Sequence, residues 1–443
     1  MQRERMTDTS NPNMSYKLRR FKEFKPQESL FRTLFLTCRE FQTLFAVILA
    51  LVHACLVFQV IGYFIDHKTF WDDVNFAHWS FVETFTPFLV AWIQIFSLSL
   101  LFHPLVLFWK NGFLPRPLFM LILAGYFVVT TFITKTLHLS NTYMAAIACE
   151  HTRMMMKVLA FVIAQNKKTE SDPKTSFTHF LYFFFAPTLV FRESYPRNNA
   201  VNWKRVFALS YFFLLHVYSL MVLCRHWVAP FYRYVGLRPL DLKEVISFQR
   251  SAYAMYFVIH IGGIACALIH CWMNIFAEVL TFADRNFYQN WWSVDNPLEQ
   301  LRKWNSVVGD WIYEYVYADI VYITGGNKPL STISVFLLSA VMHDYVLNML
   351  FGTRFVPVMT ITYGALGSGV VMFLVLYRKF RWDRFAGGYL LSNAACHFAT
   401  GLSYMIWINF YAIEYYCRKN VPRKETSFLD AVTPHSLSCL RFE

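Results

Sequence analysis

Stretches free of Asp, Glu, Lys and Arg recur along the chain at 42–65, 84–109, 117–134, 206–224, 251–277, 355–377 and 385–413. Residues 329–353 form another, interrupted only by Asp344. A membrane-spanning helix takes roughly 20 mostly apolar residues, so the pattern predicts eight spans. A ninth, over 138–165, holds Glu150, Arg153 and Lys157 and is retained because of the loops. With nine spans and a cytosolic N-terminus, the pieces 1–41, 110–116, 165–205, 281–328 and 378–384 carry 26 Lys and Arg, and those on the other side carry 13. That is the asymmetry of the positive-inside rule. Without the ninth span, the basic 165–205 loop would share a side with 66–83, whose one basic residue is Lys68.

The expectation is an all-α polytopic membrane protein in three parts. Residues 1–41 form a cytosolic tail, disordered over its first dozen residues, and too polar ahead of the first span for a cleaved leader. Residues 42–413 are membrane-embedded, and 414–443 form a lumenal tail. Residues 176–191 (SFTHFLYFFFAPTLVF) are uncharged but short for a span, and suit an interfacial or re-entrant segment buried in protein. Residues 282–328 mix aromatic and polar positions. From 310 onward the helical spacing puts Trp311, Tyr315 and Tyr322 on one side and Tyr313 and Tyr317 on another, which predicts a short helix at the cytosolic interface. No internal repeat is present to support an inverted-repeat transporter.

Composition narrows the class. Of 443 residues, 56% are hydrophobic, 19% aromatic and only 16% charged, against about 25% charged in soluble domains. Disordered, collagenous, coiled-coil and small disulfide-rich chains are excluded, and 46 Phe with 25 Tyr exceed what a soluble enzyme can hide. The net charge of +13 belongs to the cytosolic membrane face, with no nucleic-acid partner implied. Nine cysteines show neither CxxC nor metal-ligand spacing, so no metal is indicated. Cys417 and Cys439 both fall in the lumenal tail, as a disulfide or as two free thiols.

Seven histidines lie in or near spans: His53, His103, His216, His260, His270, His343 and His397. An ionisable group at membrane depth is a functional candidate, although most buried histidines are hydrogen-bonded core residues. His343 differs by preceding Asp344, the one acidic residue of its stretch, on the span that comes after the aromatic-polar segment. A neutral imidazole there can take a proton from an alcohol. The alternative is a His-Asp pair that only ties helices together.

Five phrases then carry a resemblance: FYQNWWS (287–293), RKWN (302–305), SAVMHDY (339–345), FAPTLVFRESYPR (185–197) and TSFLDAVTPHSLSC (426–439). From about residue 25 to its end, the chain resembles the sterol O-acyltransferase branch of the membrane-bound O-acyltransferase family. Phe287, Tyr288, Asn290, Trp291, Trp292 and Ser293 match that family's FYxDWWN signature, with Asn290 and Ser293 in place of its Asp and Asn. A histidine usual four residues after the asparagine of RKWN is Gly309 here. Arg192, Glu193, Ser194 and Tyr195 place the chain apart from the sister branch that acylates diacylglycerol. The resemblance implies the family's nine-span fold in the endoplasmic reticulum membrane, a homodimer or homotetramer, and a Cys417–Cys439 disulfide. It also implies acyl-CoA as co-substrate with no bound cofactor.

Under that resemblance His343 is the general base and Asn305 assists at the thioester. Arg302, Trp304, Tyr313, Tyr317, Lys328 and Ser339 match positions near the acyl-CoA path. The implied reaction moves a long-chain acyl group from acyl-CoA to the hydroxyl of a sterol, giving sterol esters for storage. The residues alone leave other acceptors open, a diacylglycerol or a fatty alcohol, as well as a non-catalytic sterol-binding protein.

Overall fold

The computed structural model describes residues 21–67, 71–111, 115–137, 139–169, 172–352, 357–362, 364, 388–422 and 433–442. Among them the chain is helical with no strand, only three isolated bridges. In chain order the helices are α1 (Leu30–Thr37), α2 (Arg39–His67), α3 (Trp71–His78), α4 (Phe85–Leu100), α5 (Phe102–Lys110), α6 (Arg116–Thr136), α7 (Asn141–Asn166) and α8 (Phe177–Phe185). Then come α9 (Trp203–Leu223), α10 (Ala229–Tyr232), α11 (Leu242–Met255), α12 (Met273–Val279), α13 (Pro297–Trp304), α14 (Ser306–Ile312), α15 (Ala318–Ile323) and α16 (Lys328–Leu350). A long closing helix, Gly388–Asn420, precedes the short turn Ser436–Cys439. Wide π-type turns continue α11 into α12 over Tyr256–Trp272 and join α14 to α15 over Tyr313–Tyr317.

Among the described residues, six helical stretches are long and apolar enough to cross a bilayer: Arg39–Asp66, Val74–Lys110, Pro117–Thr136, Trp203–Tyr232, Leu242–Val279 and Lys328–Leu350. These coincide with six of the apolar stretches in the sequence. Two further expected spans are long helices, α7 and the closing helix, that carry more polar side chains. Most of 355–377 lies outside the described residues, as do the first 20 residues and the 378–384 loop. Side chains such as Leu51, Phe58, Phe132, Phe207 and Leu214 are largely exposed on the protein surface. In a bilayer they meet acyl chains, the solvent that apolar helix faces require.

The charges of α7 explain themselves in three dimensions. Arg153 donates to the carbonyl of Phe184 and pairs with Glu150, which also accepts from Trp92 Nε1. Lys157, only 1% exposed, donates to the carbonyls of Phe183 and Ala186. Both cations therefore sit at the C-terminal end of α8, where helix carbonyls lack partners and the dipole is negative. Three of the five phenylalanines of α8 (Phe180, Phe183, Phe184) are fully buried in the main apolar core. The 176–191 segment is thus a nine-residue helix followed by a series of bends, exposed at its first residues and held within the protein from His179 onward.

Two corners are pinned differently. On one, an N-terminal strap crosses the loop that leads into the FYQNWWS phrase. Gln27 exchanges backbone hydrogen bonds with Ala283 and Arg285, and its side chain donates to Asp284. Lys22 pairs with Asp284 and Asp310. Beneath it, Arg285 and Arg205 both meet the buried Glu278; removing one member of such a buried set costs about 3–5 kcal/mol. On the other corner, Cys417 and Cys439 are joined by a disulfide with Cα atoms 5.8 Å apart. The buried Glu414 accepts from the backbone of His435 and Ser436 and pairs with Arg418. Gly236 is required there: its φ is +82° and any Cβ would strike Cys439 Sγ.

Candidate active site

Asn305 occupies the single residue between α13 and α14. Its Oδ1 accepts from Val308 N at 3.2 Å, the N-cap bond of α14. The backbone on either side is tied to the signature phrase: Gln289 N donates to Lys303 O and Ser306 N to Phe287 O, both at 2.9 Å. The fold therefore joins FYQNWWS to RKWN, two phrases separated in the sequence by the eight residues 294–301. With Oδ1 committed to the cap, the amide NH2 is the part of Asn305 that remains to donate elsewhere.

The signature side chains divide by depth. Phe287, Tyr288 and Trp291 are buried, and the Tyr288 hydroxyl meets His270 Nδ1 at 2.8 Å. Trp292 is half-buried, and its carbonyl accepts from Asn393 Nδ2 and from His397 Nε2. Asn290 and Ser293 are exposed, and Ser293 Oγ lies 2.7 Å from the Tyr389 hydroxyl on the closing helix. The two departures from the signature therefore fall at its surface. At Gly309 a Cβ would meet nothing within 4 Å, so the place of the missing side chain is open space.

Trp304 carries the tightest contact of the region. Its ring stacks on His260 with centroids 3.7 Å apart and planes within 8°, while Trp291 stands edge-on to it at 4.7 Å. His260 Nδ1 is hydrogen-bonded to the Tyr404 hydroxyl at 2.9 Å. His397 donates from Nε2 to the Trp292 carbonyl, which leaves its neutral form with Nδ1 to accept from Tyr256 OH at 2.8 Å.

His343 lies on α16 with its ring exposed. Its Nδ1 is 2.7 Å from the carbonyl of Ser339, one turn earlier, and 3.5 Å from Ser339 Oγ. A carbonyl only accepts, so Nδ1 carries the proton and the neutral ring has its lone pair on Nε2. Asp344 points elsewhere. It is fully buried and accepts from Met359 N, Thr360 N, Thr360 Oγ1 and Tyr411 OH at 2.6–2.9 Å. Asp344 is thus the tie between helices, capping the turn that opens at residue 358 and holding the closing helix, whereas His343 is tied to its own helix.

The other expected positions lie on α13, the π turn and the first turn of α16. Arg302 is exposed; Lys303 pairs with Glu299. Tyr313 and Tyr317 stack on one another with centroids 5.5 Å apart, and Lys328 sits exposed in the first turn of α16. Trp311 and Tyr315 share the buried side as expected, but Tyr322 is 70% exposed. The π turn at 313–317 inserts extra backbone and rotates the succeeding helix off the α-helical register.

The RESYPR phrase is a structural hub. Arg192 pairs with Glu314 at 2.7 Å and donates to the Lys22 carbonyl of the strap. Tyr195 OH donates to the Val190 carbonyl and packs edge-on against Phe24; burial pushes its phenol well above the usual range, so it stays a neutral donor. The sequence pattern assigns no role to Tyr256, Tyr404 or the strap, and it does not single out His260 or His397 from the other intramembrane histidines. The hydrogen bonds that place them reach 100 or more residues along the chain, as with the 144-residue separation of His260 and Tyr404.

Residues 35–416 match the model of the membrane-bound O-acyltransferase family. The chain belongs to that family. Among its relatives, the mouse protein named sterol O-acyltransferase 1 is 29% identical, over 94% of this chain and 79% of the relative. The human protein named sterol O-acyltransferase 2 is 31% identical, over 79% of this chain and 68% of the relative. The resemblance read from the five phrases is thereby borne out at the level of family and branch. In this membrane-bound O-acyltransferase, the described residues hold no cluster of His, Cys, Asp and Glu fit for a metal ion.

Proposed function

We propose that this chain transfers a long-chain acyl group from acyl-CoA to the hydroxyl of a sterol. His343 is the general base and Asn305 the donor at the thioester. The supporting observation is a pair of atom assignments: Nδ1 of His343 is committed to a helix carbonyl and Oδ1 of Asn305 to a helix cap. The first puts the basic lone pair on Nε2, and the second leaves Asn305 acting through its N–H.

In the proposed step the alcohol O–H gives its proton to His343 Nε2 as oxygen attacks the thioester carbonyl carbon. The amide N–H of Asn305 donates to the developing oxyanion, a contribution worth about 3–4 kcal/mol in other acyl transfers. Collapse breaks the C–S bond, and the proton held by His343 goes to the coenzyme A thiolate. Exposed Arg302 and Lys328 serve the phosphates, with Trp304, Tyr313, Tyr317 and Ser339 along the acyl-CoA path. Around this site we place nine spans in the endoplasmic reticulum membrane, a cytosolic tail to residue 41, an embedded body to 413 and a lumenal C-terminal tail. The assembly is a homodimer or homotetramer.

The test is an acceptor panel. Purified protein with labelled oleoyl-CoA is offered cholesterol, diacylglycerol and a fatty alcohol. Cholesteryl oleate is the expected product, and His343→Ala removes it. Turnover confined to diacylglycerol would move the chain to the sister activity, and turnover by the His343→Ala protein would exclude that residue as the base.

A further inference from the structure

We propose that His260 is a positioning residue for Asn305, acting through Trp304. The inference rests on the reading of Asn305 as the thioester donor. Trp304 is the residue immediately before Asn305, and its ring is clamped between the face of His260 and the edge of Trp291. Two backbone bonds to Phe287 and Gln289 hold the main chain on either side of Asn305. The Trp304 stack adds a side-chain contact that resists rotation of the turn.

The choice of histidine calls for an account. His260 is 7% exposed and sits mid-helix in a stretch long and apolar enough to span. A phenylalanine would stack on Trp304 without the cost of burying a polar ring. What imidazole adds is its bond to Tyr404 OH, which locks the ring plane to the closing helix. Tyr256 also stacks on His260 and bonds His397, which in turn donates to Trp292 of the signature. The same two helices thus hold both ends of the joined FYQNWWS and RKWN phrases, and His260 is the member that touches the residue beside Asn305.

Misplacing a reacting group by about 1 Å can cost ~100-fold in rate. Kinetics of the full chain in nanodiscs, with oleoyl-CoA and the acceptor it turns over, test the proposal. His260→Leu is expected to lower kcat by about 10- to 100-fold, with KM for oleoyl-CoA within about twofold. His260→Phe and Tyr404→Phe, which keep the stack and lose the lock, are expected to lose ~3- to 10-fold and to guard against a leucine variant that does not fold. In an Asn305→Ala background, His260→Leu is expected to cost less than about twofold further, because the group it positions is gone.

Full multiplicative loss in the double variant, a KM effect alone, or wild-type kcat in folded His260→Leu and His260→Phe would overturn the proposal. Wild-type kcat in Asn305→Ala alone would instead overturn the donor role of Asn305, and this inference with it.

Discussion

The turn at Asn305 and the helix at His343 are built on opposite plans. Asn305 is gripped by a cap bond, by two backbone bonds to the signature and by an aromatic clamp on its neighbour. His343 stands exposed on a regular helix, oriented by a bond to its own turn, and the anchoring of that helix falls to the next residue, Asp344. A donor aimed at a developing charge works only from a fixed place. A base that takes and returns a proton needs the right tautomer and open access to both substrates. The first demands a rigid mount, the second an accessible one.

If this contrast holds, the two residues answer substitution differently. The largest effect is expected at His343. Alanine there removes the base and lowers kcat by about 10²- to 10⁴-fold, while the unfolding midpoint in detergent stays put because the ring is exposed. A fall in both would mean that the ring is a packing element.

Asn305 comes next, and the informative change is Asn305→Asp. Aspartate still accepts from Val308 N and keeps the cap, but it has no N–H to offer. Stability is expected to hold while kcat falls about 10²- to 10³-fold, the usual cost of losing one oxyanion donor. Wild-type turnover by Asn305→Asp would reduce Asn305 to a helix cap.

How much of this is legible in the sequence depends on range. The apolar stretches become helices because length and apolarity act locally, and α2 or α6 can be bounded to within a few residues. The charges of α7 are legible as an anomaly but not as a solution, since the carbonyls of Phe183, Phe184 and Ala186 that receive them lie some 30 residues on. Helical spacing misplaces Tyr322 because nothing in YEYVY announces a π turn. Adjacency makes a couple of His343 and Asp344; the structure separates them, since the partners of Asp344 (Met359, Thr360, Tyr411) come from distant chain and a buried carboxylate takes the donors that surround it. The resemblance finds the residues of RKWN, but not the histidine stacked against its tryptophan.

Asp344→Asn sharpens the contrast from the other side. It trades a charged acceptor for an amide whose NH2 faces donors, so part of a four-bond set is lost at a fully buried site. A loss of about 3 kcal/mol is expected, seen as a lower unfolding midpoint. At a temperature where the variant remains folded, kcat should stay within a few-fold of wild type. A kcat as low as that of His343→Ala would mean that the two residues act as a dyad after all.

The smallest effect is expected at the Cys417–Cys439 corner, where the tail is held by chemistry of a third kind. The bridge closes a sequence separation of 22 residues, and the chain-entropy argument assigns such a loop about 3 kcal/mol. Part of that restraint is duplicated by Glu414, which binds the backbone of His435 and Ser436, so a double Cys→Ser variant should lose less, about 1–2 kcal/mol, with kcat unchanged. Removing Glu414 as well should then expose the full cost, because both the disulfide and the charged acceptor that hold His435 and Ser436 to the closing helix are gone. If the double Cys→Ser variant already loses activity, the corner is coupled to the site through that helix, whose N-terminal half carries Asn393 and His397 against the signature, and the two regions are not independent.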